Sequence, residues 1–118
     1  MKRYVLALDL QNDAALIAEY EKLHRDIAPE IRQSITDSGI TQMEIYRFGD
    51  RMFMVMEAND DFSFADKAAA DAANPYVRAW EELTWKFQKA IPGSKPGEKW
   101  VVMDKIFELS SSEQANGK

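Results

Sequence analysis

Residues 40–58 read ITQMEIYRFGDRMFMVMEA, and this stretch decides the fold. Gly49-Asp50 is a turn-forming pair between two apolar runs, which predicts a β-hairpin with strands at Ile40–Phe48 and Met52–Ala58. In the second strand both faces carry apolar side chains, so neither face is expected to meet water. These side chains are Met52, Met54 and Met56 on one face and Phe53 and Val55 on the other. The hairpin must therefore be covered on both sides.

The segment before the hairpin is predicted to hold one strand and two helices. Arg3 to Leu10 alternate in the period-2 pattern of a strand rich in aliphatic residues. Asn12 or Asp13 can cap the helix that follows, while Pro29 can begin a second helix that Gly39 ends in the left-handed conformation. The inner face of the first helix is expected to carry Leu16, Ile17, Tyr20, Leu23 and His24.

The segment after the hairpin repeats this plan in reverse. Phe62–Ala73 is alanine-rich and is predicted to be helical, and Asn74-Pro75 supplies a cap and a first-turn proline for a longer helix to about Ala90. Residues 92–97 read PGSKPG and form a loop by composition. Alternation resumes over Trp100–Leu109, which is predicted to be the last strand.

The predicted order β-α-α-β-β-α-α-β indicates an α+β fold, a ferredoxin-like, four-stranded antiparallel sheet with all helices on one face. Residues 1–109 are expected to form this single domain, and the polar residues 110–118 a frayed tail. The face without helices stays apolar. Because soluble monomers rarely expose a large apolar patch, this face is expected to pair with a second copy in a homodimeric α/β barrel, to line a ligand pocket, or both.

Composition excludes several classes of function. The 15 Lys and Arg against 20 Asp and Glu give a net charge of −5, which argues against nucleic acid as a partner. The chain has no Cys, so disulfides, thiolate catalysis and zinc fingers are excluded, and it has one His, too few for a polyhistidine metal site. The apolar run Tyr4–Leu8 is too short to span a membrane. A cytoplasmic, soluble and unprocessed protein is expected.

A small set of side chains could carry chemistry. His24 follows Tyr20 by four residues on one helix face, and an imidazole can give and take protons near neutrality. The alternative is that His24 only interacts with the helix C-terminus. Tyr46 and Trp80 could point into the open face and hold a sugar ring with a hydroxyl and a flat apolar plate, although core packing also explains Trp80. Glu81 would be a solvated carboxylate in most proteins.

Four short motifs carry a family resemblance. Glu19-Tyr20-x-x-x-His24, the string at residues 27–31, Ile45-Tyr46 in the hairpin and Arg78-Ala79-Trp80 on the late helix occur in order between Arg3 and about Leu109. Together they resemble the L-rhamnose mutarotase family of small dimeric α+β barrels.

The resemblance implies a sugar mutarotase that interconverts α and β anomers and needs no metal or cofactor. It implies that His24 donates or accepts a proton, that Tyr20 and Tyr46 contact the monosaccharide and that Trp80 walls the pocket. Rhamnose-specific members tend to carry two consecutive tryptophans on the late helix, whereas here Glu81 follows Trp80. A carboxylate at this point adds a hydrogen-bond acceptor, which favours L-fucose slightly over L-rhamnose as the 6-deoxy sugar bound there.

The same residues are also compatible with two other functions. The barrel could serve a cofactor-independent monooxygenase, which would want a larger and more uniformly apolar pocket. It could also be a non-catalytic dimeric binding module in which the open face serves only association.

Overall fold

The computed structural model describes residues 1–109, which form five strands and four helices. In chain order they are β1 (Lys2–Leu10), α1 (Ala14–Arg25), α2 (Pro29–Asp37), β2 (Ile40–Phe48), β3 (Arg51–Ala58), α3 (Phe64–Ala73), α4 (Pro75–Trp85), β4 (Gln88–Lys89) and β5 (Val101–Val102). Among these residues no helix is both long and apolar enough to cross a membrane. The predicted tail at 110–118 lies outside the described residues.

The sheet is antiparallel with strand order β2-β3-β1-β4, and β5 also pairs with β1. Because β3 pairs along nearly the whole of one edge of β1, the short strands β4 and β5 share the other edge at different heights. The β2–β3 hairpin forms at the predicted place. The ferredoxin-like α+β fold predicted from the order of elements is confirmed.

The two faces of the sheet differ in what covers them. On one face Leu6 lies beside Met54, which lies beside Ile45, and all four helices lie over this face. On the other face Ala7, Phe53 and Tyr46 form the matching row, and no described helix covers it. The core on the helix side comprises Leu6, Leu8, Leu10, Tyr20, Ile31, Ile40, Met52, Met54, Met56, Ala58, Phe62 and Val77.

Local capping signals explain where the helices begin and end. The Asp13 side chain accepts from the backbone N–H groups of Ala15 and Leu16 at 3.0 Å, so Asp13 caps α1. Asn74 caps α4 in the same way, followed by Pro75 at the first helical position. Gly39 ends α2 with φ +96°, the left-handed region where a Cβ would be strained.

Two of the predicted helix boundaries were wrong. α3 begins at Phe64 and not at Phe62, because the Ser63 hydroxyl accepts from the Asp66 N–H and sets the cap there. α4 ends at Trp85 and not near Ala90, because the chain from Gln88 pairs with the end of β1 as β4. Sheet pairing therefore takes precedence over helical spacing in this segment.

The predicted last strand was mostly wrong as well. Only Val101–Val102 of Trp100–Leu109 pairs as a strand, and the Met103 N–H makes one further bond to the Val5 carbonyl at 2.8 Å. Beyond it the side chains of Ile106 and Phe107 are 95% and 77% exposed. Alternation signals apolar surface, but a strand also needs a neighbouring backbone, and residues 104–109 find none within the described chain.

Candidate active site

A cavity of about 360 Å³ lies between the sheet and the four helices. Its floor is apolar and consists of sheet residues Leu6, Met43, Ile45, Met54 and Met56. Its polar wall groups are Tyr20, His24, Ser34, Lys67, Asp71, Glu81, Thr84, Gln88 and Lys99. The pocket therefore lies on the helix-covered side of the sheet and not on the open face, where the sequence pattern had allowed it. An apolar cavity with a few converging polar groups is typical of a small-molecule site.

His24 lies in the last turn of α1 and lines this cavity. Its Nδ1 is 2.9 Å from the backbone carbonyl oxygen of Tyr20, one turn earlier. Because a carbonyl oxygen can only accept, this bond requires a proton on Nδ1. In the neutral ring the lone pair is then on Nε2, so Nε2 is the atom that can exchange a proton with a bound molecule.

The Tyr20 ring lies beside the imidazole, with ring centroids 4.4 Å apart. Its hydroxyl oxygen accepts from Nε2 of Gln88 at 3.0 Å, a bond between two buried side chains. Burial raises the pKa of the Tyr20 phenol, although the Gln88 hydrogen bond acts in the opposite direction. The phenol is therefore neutral at physiological pH and can donate its own proton in a hydrogen bond. Sequence reasoning missed Gln88, since it was assigned to the end of a helix.

Trp80 forms the opposite wall of the cavity. Its ring meets the imidazole of His24 edge-on at 5.2 Å between centroids, and the side chain is half-buried. Glu81 also lines the cavity. The Thr84 hydroxyl, one turn later, donates to the Trp80 carbonyl at 3.0 Å and so is committed to the helix. The structure thus places Tyr20, His24, Trp80 and Glu81 around one cavity, and Trp80 lies on the helix-covered side of the sheet and not on the open face.

Tyr46 is not part of this pocket in its own chain. It lies in register with Phe53 on the open face of the sheet, is 56% exposed and donates to the Glu44 carboxylate at 3.2 Å. That bond raises the pKa of the Tyr46 phenol. Its neighbours Met43 and Ile45 face the cavity instead, because side chains alternate along a strand.

The sequence reasoning also missed charged residues that line the cavity. Lys67 and Asp71 on α3 form an ion pair at 2.6 Å, and both side chains are partly buried. Their signal was present in the sequence, because an amphipathic helix with Phe64 and Ala68 inside also turns positions 67 and 71 inward. Within residues 1–109, no three His, Asp or Glu side chains converge in a way that could hold a metal ion.

The arrangement defines a class of small ferredoxin-like α+β proteins with one imidazole and one phenol in an apolar pocket. The fold itself is shared with an L-rhamnose mutarotase from Formosa agariphila, at a TM-score of 0.69 and 16% identity over 93% of this chain and all of that one. It is also shared with tetracenomycin F2 cyclase from Streptomyces glaucescens, at a TM-score of 0.62 and 16% identity over 93% of this chain and 98% of the cyclase.

Sequence comparison narrows this class further. The model of the L-rhamnose mutarotase family matches residues 3–109. A curated L-fucose mutarotase from Xanthomonas campestris pv. campestris is 50% identical over 114 residues, which cover 95% of this chain and 91% of the relative. The chain belongs to the L-rhamnose mutarotase family. The resemblance seen in the motifs is therefore confirmed, as is the assignment to the isomerases that act on carbohydrates.

Proposed function

We propose that this protein is a cytoplasmic mutarotase that interconverts the α and β anomers of a 6-deoxy-L-hexose, with L-fucose preferred over L-rhamnose. The observation that carries the proposal is the imidazole of His24, held in one tautomer beside the buried Tyr20 phenol in an apolar pocket. Family membership and the 50% identity to an L-fucose mutarotase support the same reaction.

Mutarotation needs one proton removed from the anomeric hydroxyl and one delivered to the ring oxygen. In our proposal Nε2 of neutral His24 accepts the anomeric proton while the bond from C1 to the ring oxygen breaks and the C1 carbonyl forms. The ring oxygen takes its proton from a water molecule, and the Tyr20 hydroxyl orients that exchange by hydrogen bonding. Rotation about C1–C2 presents the other carbonyl face, the ring oxygen attacks it, and the proton transfers run in reverse.

The pocket matches the demands of this reaction. Neither step needs a strong nucleophile, and general acid–base catalysis of this kind is worth about 10²–10⁴-fold. The raised pKa of Tyr20 keeps the phenol protonated, so it serves as a hydrogen-bond donor and not as a base. The apolar floor with Leu6 and Met54 suits a ring that carries a methyl group in place of the usual hydroxymethyl.

The proposed sugar preference rests on Glu81 beside Trp80. Glu81 lines the cavity with a carboxylate that can accept a hydrogen bond from a sugar hydroxyl, while Trp80 offers a flat apolar surface. An indole at this position could not accept such a bond. Sugars whose hydroxyls differ in configuration are therefore expected to differ in their fit to Glu81.

Saturation-transfer NMR at anomeric equilibrium tests the proposal directly. One anomeric proton of L-fucose or L-rhamnose is irradiated, and loss of signal at the other anomer reports exchange. We expect exchange well above that in buffer for the wild type, faster for L-fucose, and near the buffer rate for His24→Ala. Glu81→Trp should reduce the preference for L-fucose. Exchange at the buffer rate with both sugars would refute the mutarotase, and a preference for L-fucose in Glu81→Trp as strong as in the wild type would refute the role of Glu81.

We further propose that two copies pair through the open sheet face. In one chain this face carries Ala7, Phe53 and Val55 at its centre and Tyr46 and Phe48 near its edge, the last two 56% and 86% exposed. Charged residues surround this apolar patch on the same face, namely Arg3, Asp9, Glu44, Arg51 and Glu57. An exposed apolar patch of this kind is uncommon on a soluble monomer. Face-to-face packing of two sheets would bury it and produce the predicted homodimeric barrel.

A further inference from the structure

The inner stripe of helix α3 carries charges where a packing helix would carry apolar residues. Phe64, Lys67, Ala68 and Asp71 follow the spacing i, i+3, i+4 and i+7, and all four line the cavity. Lys67 and Asp71 are partly buried, whereas every other residue of α3 is exposed. A helix that only covered the sheet would place apolar side chains at these two positions. Polar residues that break this rule are expected at functional sites.

The order of Lys67 and Asp71 along α3 also argues against a purely structural role for the ion pair. The Lys67 ammonium lies in the first half of α3 and the Asp71 carboxylate in its last turn. The helix dipole favours the opposite arrangement, with the anion near the N-terminus and the cation near the C-terminus. An i,i+4 pair is likewise more stabilising with the acidic residue first. An ion pair kept for helix stability would therefore have its partners exchanged.

We propose that Lys67 and Asp71 together bind two neighbouring ring hydroxyls of the sugar and so determine which sugars are accepted. This inference rests on the proposed mutarotase function and assigns residues to the binding half of that site. The ammonium can only donate and the carboxylate can only accept, whereas each sugar hydroxyl can do both. The pair therefore recognises one hydroxyl as acceptor and its neighbour as donor.

The geometry suits a ligand with adjacent hydroxyls. Lys67 Nζ and Asp71 Oδ2 lie 2.6 Å apart, comparable with the separation of neighbouring oxygens on a pyranose ring. The remaining two ammonium hydrogens and the second carboxylate oxygen are available to a ligand in addition to the ion pair. The cavity lining as a whole is largely apolar and both charged side chains are mostly buried, so hydrogen bonds to these charges are stronger than they would be in bulk water.

The test combines two protein variants with a panel of sugars. The first variant is Lys67→Met, and the second exchanges the charges through Lys67→Asp and Asp71→Lys together. The sugars are L-fucose and its 2-, 3- and 4-deoxy analogues, with anomer exchange measured by saturation-transfer NMR over a range of concentrations. Thermal unfolding is followed for each variant. Asp66→Asn, a charge change on the exposed side of the same helix, is the matched control.

For Lys67→Met we expect kcat/KM for L-fucose to fall about 10- to 100-fold, mostly through KM, as for the loss of a hydrogen bond to a charged group. For the deoxy analogue that lacks the hydroxyl bound by Lys67, kcat/KM should be the same in Lys67→Met as in the wild type. The variant with exchanged charges keeps both charges and places them in the order that the helix dipole favours, so its melting temperature should not drop. Its kcat/KM should nevertheless fall about as far as that of Lys67→Met. Asp66→Asn should match the wild type.

Two outcomes would overturn the inference, and they can be told apart from failure of the mutarotase itself. If the exchanged pair keeps wild-type kcat/KM and the same ranking of deoxy sugars while His24→Ala is inactive, Lys67 and Asp71 do not bind the sugar. Equal losses on every analogue with a lowered melting temperature would show a structural role. If the wild type accelerates exchange of no sugar, the mutarotase proposal fails and this inference fails with it.

Discussion

Nδ1 of His24 lies 2.9 Å from the backbone carbonyl oxygen of Tyr20, one helical turn earlier in α1. Histidine carries the acid–base group, and the tyrosine beside it supplies both the carbonyl that orients the imidazole and the phenol that faces the same pocket. A spacing of four residues is therefore sufficient to set the position and the tautomer of the imidazole. The remaining groups of the site come from distant parts of the chain.

The first prediction concerns the tautomer of His24. In ¹⁵N-labelled protein with a neutral imidazole, two-bond ¹⁵N–¹H correlation should show a protonated Nδ1 and an unprotonated Nε2, because the Tyr20 carbonyl accepts from Nδ1. As the only histidine in the chain, His24 gives an unambiguous signal. A proton found on Nε2 would contradict the proposed role of that nitrogen as the base.

The second prediction concerns the Gln88–Tyr20 hydrogen bond. Gln88→Leu leaves the buried Tyr20 hydroxyl without its donor, so the free energy of unfolding should fall by about 1–3 kcal/mol. Anomer exchange should slow as well, because the phenol loses its fixed orientation. Urea denaturation checks the stability, and NMR exchange rates check the activity.

A double-mutant cycle with Tyr20→Phe provides the control for this bond. The stability losses of Gln88→Leu and Tyr20→Phe should sum to more than that of the double variant, since each single change leaves one buried polar group unpaired. Strict additivity would mean that the two side chains do not interact in solution.

The third prediction is a loss of stability at alkaline pH that depends on Tyr20. Burial raises its pKa in the folded protein above the unfolded value of about 10, so its contribution is intact below that value and declines as the pH rises further. Melting temperatures measured from pH 8 to 11 should fall less steeply in Tyr20→Phe than in the wild type. Tyr46→Phe is the control, because solvent screens the exposed phenol and should leave the slope nearly unchanged.

The fourth prediction concerns the wall of the pocket. Trp80→Ala removes the surface that meets the His24 ring and should raise KM about tenfold, while Trp80→Phe should retain most of the affinity. Trp85→Ala is the matched control for Trp80→Ala, because that indole lies outside the cavity, beneath the Lys99 ammonium at 5.2 Å. Equal effects at the two tryptophans would argue against a sugar contact at Trp80.

The fifth prediction concerns association. Sedimentation should show a dimer at micromolar concentration for the wild type and a monomer for Phe53→Asp, because a carboxylate at the centre of the open face cannot be buried without a partner. Lys22→Asp, an exposed change on α1, should remain dimeric. A monomeric wild type would contradict the proposed pairing of two copies through the open sheet face.

Local signals predicted much of the fold. The turn pair Gly49-Asp50, the caps at Asp13 and Asn74 and the terminator Gly39 each act within a few residues, so their effects are readable along the chain. Tyr20 and His24 could be paired for the same reason, since four residues bring two side chains together on any helix.

Features that depend on distant partners could not be read in this way. Gln88 is not helical because its backbone pairs with the free edge of β1. Residues 104–109 do not form a strand because no unpaired strand edge lies beside them in the described chain. Lys67 and Asp71 read as ordinary surface charges until α3 is placed over the cavity.

By itself, then, the sequence determined the order of the elements from β1 to α4, the hairpin and the pairing of His24 with Tyr20, because turn, cap and helix geometry act over short distances. Only the tertiary structure decided which side of the sheet the helices cover. The alternation of side chains along β2 places Met43 and Ile45 on one face of the sheet and Tyr46 on the other, but it does not determine which face the helices cover. The packing of the helices over the sheet made Met43 and Ile45 the floor of the pocket and put Tyr46 on the open face.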